Sequence, residues 1–337
     1  MKYEFSNTPF NAETSHYSRQ ITKVSGLILS MVLSCQIATA TNLEPKDLLI
    51  YYAFPSSINL LFQGNAVAAA EFGQYDYVVF GEGLEKDSHA DHDNLGEILD
   101  DPAMASTTAF GYIDLGVSTT NHSITEIKTR VDEWVATGAD GIFFDDFGYD
   151  FLTSRDRQNE AVDYVHDTYG LSVVANAFRP EDAFGSQFDA SFNPAQASTS
   201  LNSTDFYLFE SHQIRLGQFQ SETTWQAKAN LLKGFEDNIG FKTLSITTND
   251  AGDPFTDYDE AQFFYSWFSA LMYGHEATGW GEFEFSASGP SNAKAPFRAR
   301  PNVDAGTSFT TNSPHIGSIS FTEWPPLKKI SPDRLRV

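Results

Sequence analysis

The sequence predicts a single-domain α/β protein with the (β/α)8 TIM-barrel fold, followed by an irregular C-terminal segment. Short apolar runs recur eight times between residues 48 and 282, and stretches with helical spacing separate several of them. Polar residues follow most of these runs. A doubly wound open sheet is the structural alternative, but the first run is not followed by a Gly-rich phosphate loop, which disfavours its dinucleotide-binding form.

The eight predicted strands are short and mostly apolar throughout. They cover residues 48–54, 75–81, 109–114, 141–146, 171–176, 205–210, 242–248 and 277–282. The fourth is the clearest, because an apolar run from Gly141 ends in Asp145 and Asp146. Parallel strands buried on both faces carry such continuous apolar runs, and they tolerate charge only where they end at a cleft.

Four helices follow from apolar residues spaced three and four apart. They cover residues 123–137, 155–169, 223–238 and 258–273. Ser123 and Glu126 have the spacing of a capping box at the start of the first. The segments after strands one and two are less regular. Residues 283–337 are rich in Ser, Pro, Asn and Gly and lack a closing helix, so we expect them to pack on the barrel or trail from it.

The N-terminus predicts export. Arg19 and Lys23 precede a largely apolar stretch that ends in Ala38-Thr39-Ala40, a pattern typical of a signal peptide over residues 1–40. The barrel domain then covers residues 41–282, and the product is secreted into the extracellular space or the periplasm. Cys35, the only cysteine, leaves an alternative: a lipid anchor at a weak lipoprotein-like box. Without that anchor we expect no membrane partner.

The formal net charge of −24 disfavours nucleic acid and anionic membranes as partners. It suits a neutral or cationic substrate, although adaptation to salty surroundings gives the same composition. We expect a monomer without a cofactor.

Carboxylates dominate the residues at the strand ends, which ring one mouth in a parallel barrel. The polar residues there are Glu82, Asp114, Asp145, Asp146, Asn176, Glu210, Asp250 and Glu282. The chain shows neither a nucleophile elbow with a Ser-His-Asp order nor a His-Glu-x-x-His motif. Carboxylates with aromatic neighbours are the residues that glycoside hydrolysis needs, and we expect a carbohydrate substrate.

Glycoside hydrolysis requires one carboxylic acid and one carboxylate close together. One strand separates strands four and six, so Asp145 can face Glu210 across the mouth. Adjacent residues of a strand point to opposite faces, which predicts that Asp145 rather than Asp146 points inward. Asp145 is then the nucleophile or the stabilising carboxylate, Glu210 the general acid/base, and Asp146 a residue that orients substrate or tunes its neighbour. If Asp145 and Asp146 only cap a helix or pair with arginines, no such chemistry follows.

Further strand-end residues are candidates for substrate binding. They are Tyr52, Tyr112, Asp114, Asn176, Trp280 and Glu282, with Tyr149 as another aromatic near a strand end. The aromatic rings can stack on sugars or simply pack in the core. Asn176 can donate to substrate hydroxyls. Glu282 is either a reserve acid or the ion-pair partner of Arg298 or Arg300.

The opening strand with Tyr51-Tyr52, the Asp145-Asp146 pair and Glu210 resemble the spherulin-4-like and endo-α-1,4-polygalactosaminidase-like glycoside hydrolases over roughly residues 47–282. The resemblance implies a (β/α)8 enzyme that cuts galactosamine-containing exopolysaccharides. In the spherulin-4-like enzymes the fourth-strand pair is typically Asp-Glu, whereas Asp146 stands second here.

Two other functions remain open from the sequence. One is a barrel that binds carbohydrate without cleaving it. The other is a metal-dependent hydrolase, because His89, Asp91, His92 and Asp93 include possible metal ligands; either aspartate could instead cap a helix.

Overall fold

A computed structural model describes residues 43–81, 83–249, 258–286, 293–303, 305 and 306. From Leu43 onward the chain groups into one compact unit. The predicted signal peptide, Cys35, Glu82 and Asp250 lie outside the described residues.

The predicted barrel is confirmed. Eight parallel strands close in the order β1-β2-β3-β4-β5-β6-β9-β10, and β10 pairs with β1 through Lys46 opposite Ala277. The strands are β1 (Lys46–Tyr51), β2 (Tyr77–Phe80), β3 (Thr108–Asp114), β4 (Gly141–Asp145), β5 (Ser172–Ala175), β6 (Phe206–Glu210), β9 (Lys242–Ile246) and β10 (Ala277–Gly279). Two short strands, β7 (Ile214–Arg215) and β8 (Gln218–Phe219), form a hairpin after β6.

Seven α-helices are described outside the barrel strands. They are α1 (Asn65–Phe72), α2 (His92–Leu99), α3 (Ile124–Thr137), α4 (Arg155–Tyr169), α5 (Pro180–Phe184), α6 (Glu222–Ile239) and α7 (Glu260–Tyr273). The four predicted helices agree within two residues at each end. Ser123 caps α3, since its Oγ accepts the Glu126 backbone N–H at 3.1 Å. Within the described ranges, no helix combines the length and apolar character needed to span a bilayer.

Side chains alternate between the barrel interior and the helix layer. Every barrel strand contributes to one buried cluster, whose strand residues are Leu48, Ile50, Tyr77, Val79, Phe110, Phe143, Val174, Phe206, Leu208, Leu244, Ile246 and Ala277. The rings of Tyr77, Phe110 and Phe206, from β2, β3 and β6, meet at centroid distances of 5.6–6.3 Å. These contacts between strands that are not all neighbours place the cluster inside the barrel. Inward positions are therefore even-numbered on β1, β3, β5, β6 and β9, and odd-numbered on β2, β4 and β10.

The chain after β10 returns along the outside of the barrel. A 3₁₀ turn covers Phe283–Ser286, and residues 293–303 contain neither helix nor strand. Asn59 accepts the Ala295 N–H at 2.8 Å, and Arg300 donates to the Pro45 carbonyl at 3.1 Å. These bonds join the segment to the chain around β1.

Gly111 of β3 lies directly beneath the indole of Trp134 on α3. A Cβ at Gly111 would be 2.1 Å from Trp134 Cδ2. We expect Gly111→Ala to lower the free energy of unfolding by about 1–3 kcal/mol, because the buried indole must move. The matched control is Gly96→Ala in α2, where a Cβ meets nothing within 4 Å. Alanine at position 96 should raise the free energy of unfolding by about 0.5–1 kcal/mol. Urea denaturation measures both, and equal effects of the two substitutions would contradict this packing.

Candidate active site

Five inward-facing side chains meet at the carboxyl ends of the barrel strands. Tyr52 follows β1, Tyr112 lies on β3, Asp145 ends β4, Asn176 follows β5 and Glu210 ends β6. All five continue the inward alternation of their strands, and each is partly buried. In (β/α)8 proteins this end of the barrel carries the active site.

Asn176 holds the two predicted catalytic carboxyls together. Its Nδ2 donates to Asp145 Oδ1 at 2.9 Å and to Glu210 Oε2 at 3.1 Å. The two oxygens are therefore at most about 6 Å apart, because both distances start from one nitrogen. Glu210 Oε1 accepts no hydrogen bond within the described residues, so this oxygen is free to meet a ligand.

Asp145 accepts two further hydrogen bonds. The Tyr112 hydroxyl donates to Oδ2 at 2.9 Å, and the Asp146 backbone N–H donates to Oδ1 at 2.9 Å. Loss of water around the carboxyl, with the neighbouring charge of Asp146, raises the pKa of Asp145 from 3.8 to about 7. The bond from Tyr112 opposes this rise. At neutral pH the carboxyl therefore titrates.

Asp146 turns away from this group. Its backbone φ is +51°, in the left-handed region where aspartate is tolerated better than most residues. Its Cβ lies 2.9 Å from where a Cβ on Gly116 would be, so the side chain faces the loop after β3. Partial burial and the charge of Asp114 raise the pKa of Asp146 to about 6. Asp146 thus acts on Asp145 through its charge and its backbone N–H.

Asp114 faces inward but is used by its own loop. Its carboxylate accepts the Gly116 N–H at 2.7 Å, the Thr119 hydroxyl at 2.8 Å and the Thr120 N–H at 3.3 Å. With 4% of its surface exposed, it has little room for a ligand. It positions the loop that contacts Asp146.

Aromatic rings form the floor beneath the carboxyls. Tyr112 contacts Tyr52 edge-on at 5.1 Å and stacks on Phe143 at 5.7 Å. Phe285 contacts the Tyr52 ring at 5.8 Å and accepts its backbone N–H at 3.0 Å. Phe285 gives no signal in the sequence, because it follows the last strand in a segment with no regular pattern.

Trp280 and Glu282 do not join the mouth, contrary to the sequence prediction. Odd positions of β10 point inward, so these even positions point toward the helix layer. Trp280 is 4% exposed and packs with Phe263 and Trp267 of α7. Glu282 is paired with Arg298 at 2.8 Å, the alternative that the sequence left open.

Tyr149 also leaves the ring of strand-end residues. It lies on a 3₁₀ turn after β4 and stacks on Phe192 at 5.2 Å.

The His89–Asp93 segment has local structural partners. Asp91 accepts the Ser56 N–H and hydroxyl at 2.9 and 2.6 Å and is the N-cap residue of α2, without a capping bond from its side chain. His92 Nδ1 lies 2.8 Å from the Leu84 carbonyl, and His89 contacts the Phe54 ring. Across the part of the chain that the structure describes, no three His, Cys, Asp or Glu residues are grouped as a metal site.

Solved structures with several activities resemble this barrel. The glycoside hydrolase domain of PelA from Pseudomonas aeruginosa is 15% identical with a TM-score of 0.39, and the match covers 70% of this chain and 94% of that one. Amy13B from Eubacterium rectale is 8% identical with a TM-score of 0.46, covering 71% and 65%. A ribulose-1,5-bisphosphate carboxylase/oxygenase from Pyrococcus horikoshii is 11% identical with a TM-score of 0.39, covering 70% and 52%. No family model and no curated protein match significantly. The likeness is one of fold, and it selects no reaction.

Removing the charge of Asp145 should stabilise the protein at high pH. The pKa of Asp145 is about 7 in the folded protein and 3.8 for an ordinary aspartate, as in the unfolded chain. Its contribution to stability therefore falls as pH rises from about 4 to about 7. We expect Asp145→Asn to raise Tm at pH 8 by more than at pH 5, with roughly 2–4 °C for each kcal/mol gained. Scanning calorimetry measures this. The control, Asp156→Asn on the exposed surface of α4, should change Tm little at either pH. An Asp145→Asn gain that is larger at pH 5 would contradict the raised pKa.

Proposed function

We propose that this protein is a glycoside hydrolase that cleaves a polysaccharide, with Asp145 and Glu210 as its catalytic carboxyls. The observation that carries the proposal is the amide of Asn176, which holds both carboxyls at the mouth of the barrel. A carboxyl pair at this distance, with one free oxygen, is what glycosidic cleavage needs.

The geometry supports distinct roles for the two carboxyls. Three donors hold Asp145, which suits a nucleophile whose anion must be stabilised and aimed. Glu210 keeps Oε1 free, which suits the acid that protonates the leaving oxygen. Asp145 attacks the anomeric carbon as Glu210 gives its proton to the departing sugar. Glu210 then takes a proton from water, and this water releases the sugar from Asp145.

The distance supports retention of configuration. Retaining enzymes have carboxyls about 5–5.5 Å apart, whereas inverting enzymes need roughly 6.5–9.5 Å to admit a water. Asp145 Oδ1 and Glu210 Oε2 are bridged by one nitrogen and are at most about 6 Å apart, which favours the shorter carboxyl separation of a retaining enzyme.

The substrate that we propose is a galactosamine-containing polysaccharide outside the cell. The resemblance of the Tyr51-Tyr52, Asp145-Asp146 and Glu210 motifs supports the sugar, and the charge of −24 suits a partly cationic chain. The signal-like residues 1–40 support export.

A reducing-sugar screen over polysaccharides that include galactosaminoglycans tests the function. We expect the wild type to release reducing ends from at least one, and both Asp145→Asn and Glu210→Gln to lose about 10²-fold or more in kcat. Azide should restore turnover to Asp145→Ala and give a glycosyl azide of inverted configuration.

The controls are Asp156→Asn and Glu222→Gln, whose side chains are exposed on α4 and α6. They should keep wild-type rates. If the wild type binds a glycan but releases nothing from it, the chain is a binding barrel and not an enzyme. If both active-site variants stay folded and fully active, the assignment of residues is wrong.

On the alkaline side of the pH profile, kcat/KM should fall at a pH near the pKa of Asp145. The reactive pair holds one proton, and kcat/KM falls when this proton is lost, with an apparent pKa near 7. Asp146→Asn removes a charge that raises this pKa, so the alkaline limb should move to lower pH. Tyr112→Phe removes a bond that lowers it, so the limb should move to higher pH.

Initial rates against pH for the three proteins measure these opposite shifts. Asp156→Asn is again the control and should leave the limb in place. Shifts of the two variants in the same direction, or a rate that rises through pH 7 to a plateau, would refute a singly protonated pair.

A further inference from the structure

A groove lies beside the candidate active site, between the loops after β4 and β5. Its volume is about 550 Å³, within the range of roughly 300–1,000 Å³ typical of small-molecule sites. Tyr149, Asp150, Arg179, Glu181, Phe188 and Phe192 are among its lining residues. Tyr149 follows Asp145 by four positions and Arg179 follows Asn176 by three. The two loops are joined at the site, where the Phe147 N–H donates to the Asn176 carbonyl at 2.9 Å.

A buried cation and a buried amide hold the walls of the groove. Arg155 is fully buried and donates to the carbonyls of Ala183 at 2.6 Å and Gly185 at 2.8 Å. Gln158 Nε2 donates to the Phe147 carbonyl at 2.5 Å and to that of Asp182 at 3.1 Å. A guanidinium and an amide placed in this way tie both loops to α4, so the groove is preformed and not a gap between loose segments.

The floor and rim of the groove are aromatic. Tyr149 and Phe192 stack nearly parallel, with 18° between their planes. The side chain of Phe188 is 62% exposed, although phenylalanine side chains are usually buried. An exposed ring beside a groove offers a flat apolar face to a ligand that has one.

Asp150 supplies a hydrogen-bond acceptor in the same groove. Its carboxylate accepts no hydrogen bond from the described part of the chain. It lies against Gly148, where an added Cβ would be 2.2 Å from Asp150 Oδ1. The absence of a side chain at Gly148 leaves room for the carboxylate in this position. The charge of Asp150 contributes to the raised pKa of Asp146, and this links the groove to the candidate site electrostatically.

We propose that this groove binds a further pyranose residue of the substrate chain, beyond the two residues that flank the cleaved bond. The apolar C–H face of the sugar stacks on Phe188, and its hydroxyl groups donate to Asp150. The inference rests on the proposed glycosidase function. It makes the enzyme one that needs several linked sugars for full activity, so chain length determines its efficiency.

Binding and cleavage of short and long oligosaccharides test the groove. The probes are disaccharides and hexasaccharides of four kinds: α-1,4-linked galactosamine, α-1,4-linked N-acetylgalactosamine, α-1,4-linked glucose and β-1,4-linked glucose. Calorimetry measures their binding, and the release of reducing ends measures their cleavage. We expect at least one hexasaccharide to bind. Phe188→Ala and Asp150→Asn should each weaken its binding at least about fivefold, while binding of the matching disaccharide stays as in the wild type.

Two variants serve as controls. Tyr169→Ala removes an exposed aromatic ring at the C-terminal end of α4, and Asp156→Asn removes an exposed carboxylate at its start. Both should bind the hexasaccharide as the wild type does. Circular dichroism confirms that each variant is folded.

The outcomes separate the groove from the reaction. If no hexasaccharide binds, or if Phe188→Ala and Asp150→Asn bind it as the wild type does, the groove proposal is overturned, even when cleavage is observed. If a hexasaccharide binds through Phe188 and Asp150 but no reducing end is released, the groove stands and the glycosidase function fails.

Discussion

Alternation of side chains along the closed barrel decides which residues of this chain can meet. Each parallel strand sends every second side chain inward, and closure through β1 and β10 makes the inward positions of all eight strands converge. Between the mouth and the opposite rim these positions are apolar and filled. At the mouth the same rows continue as Tyr112, Asp145, Asn176 and Glu210, so the hydrophobic core serves as the platform of the candidate site.

The buried surroundings of the candidate site make the ionisation of Asp145 unfavourable. An aromatic floor removes water from Asp145, and this burial is the main cause of its raised pKa. A carboxyl group that is costly to ionise destabilises the fold at neutral pH, yet the proposed nucleophile must ionise, and the bonds from Tyr112 and the Asp146 N–H favour its ionised form. Stability and the proposed catalytic role therefore have opposite requirements at this residue.

The strands were predictable because buried parallel strands are recognised by apolar composition alone. The interior role of Asp145 was also predictable, since β4 is long enough to fix its alternation. Trp280 and Glu282 were wrongly predicted to lie at the mouth. A position after a strand does not show whether its side chain points inward or outward, and β10, with only three residues, is too short to fix the alternation. The bonds of Asp114 within its loop and the contact of Phe285 with Tyr52 depend on loop geometry and on distant residues, for which the local sequence holds no signal. Arg155 and Gln158 bond to loops that lie elsewhere in the chain, so their place at the start of α4 gives no signal of this role.

Within the described residues, no salt bridge balances the charge of the carboxyl pair. The groups that donate to Asp145 and Glu210 within the described residues are all neutral: the Tyr112 hydroxyl, the Asn176 amide and a backbone N–H. Lys228 is influenced by the charge of Glu210, but its Nζ lies against the ring of Phe209, 4.8 Å from the centroid, on the helix side of β6. Burial lowers its pKa to about 8.

Neutral donors orient these carboxyls without cancelling their charge, so burial and the neighbouring charge of Asp146 leave the pKa of Asp145 raised. In the proposed reaction, the free oxygen of Glu210 is the position from which a proton is donated to the leaving group. The absence of a close cation at these carboxyls, among the described residues, thus leaves the pKa of Asp145 raised, which is the condition that the proposed pair of acid and base needs.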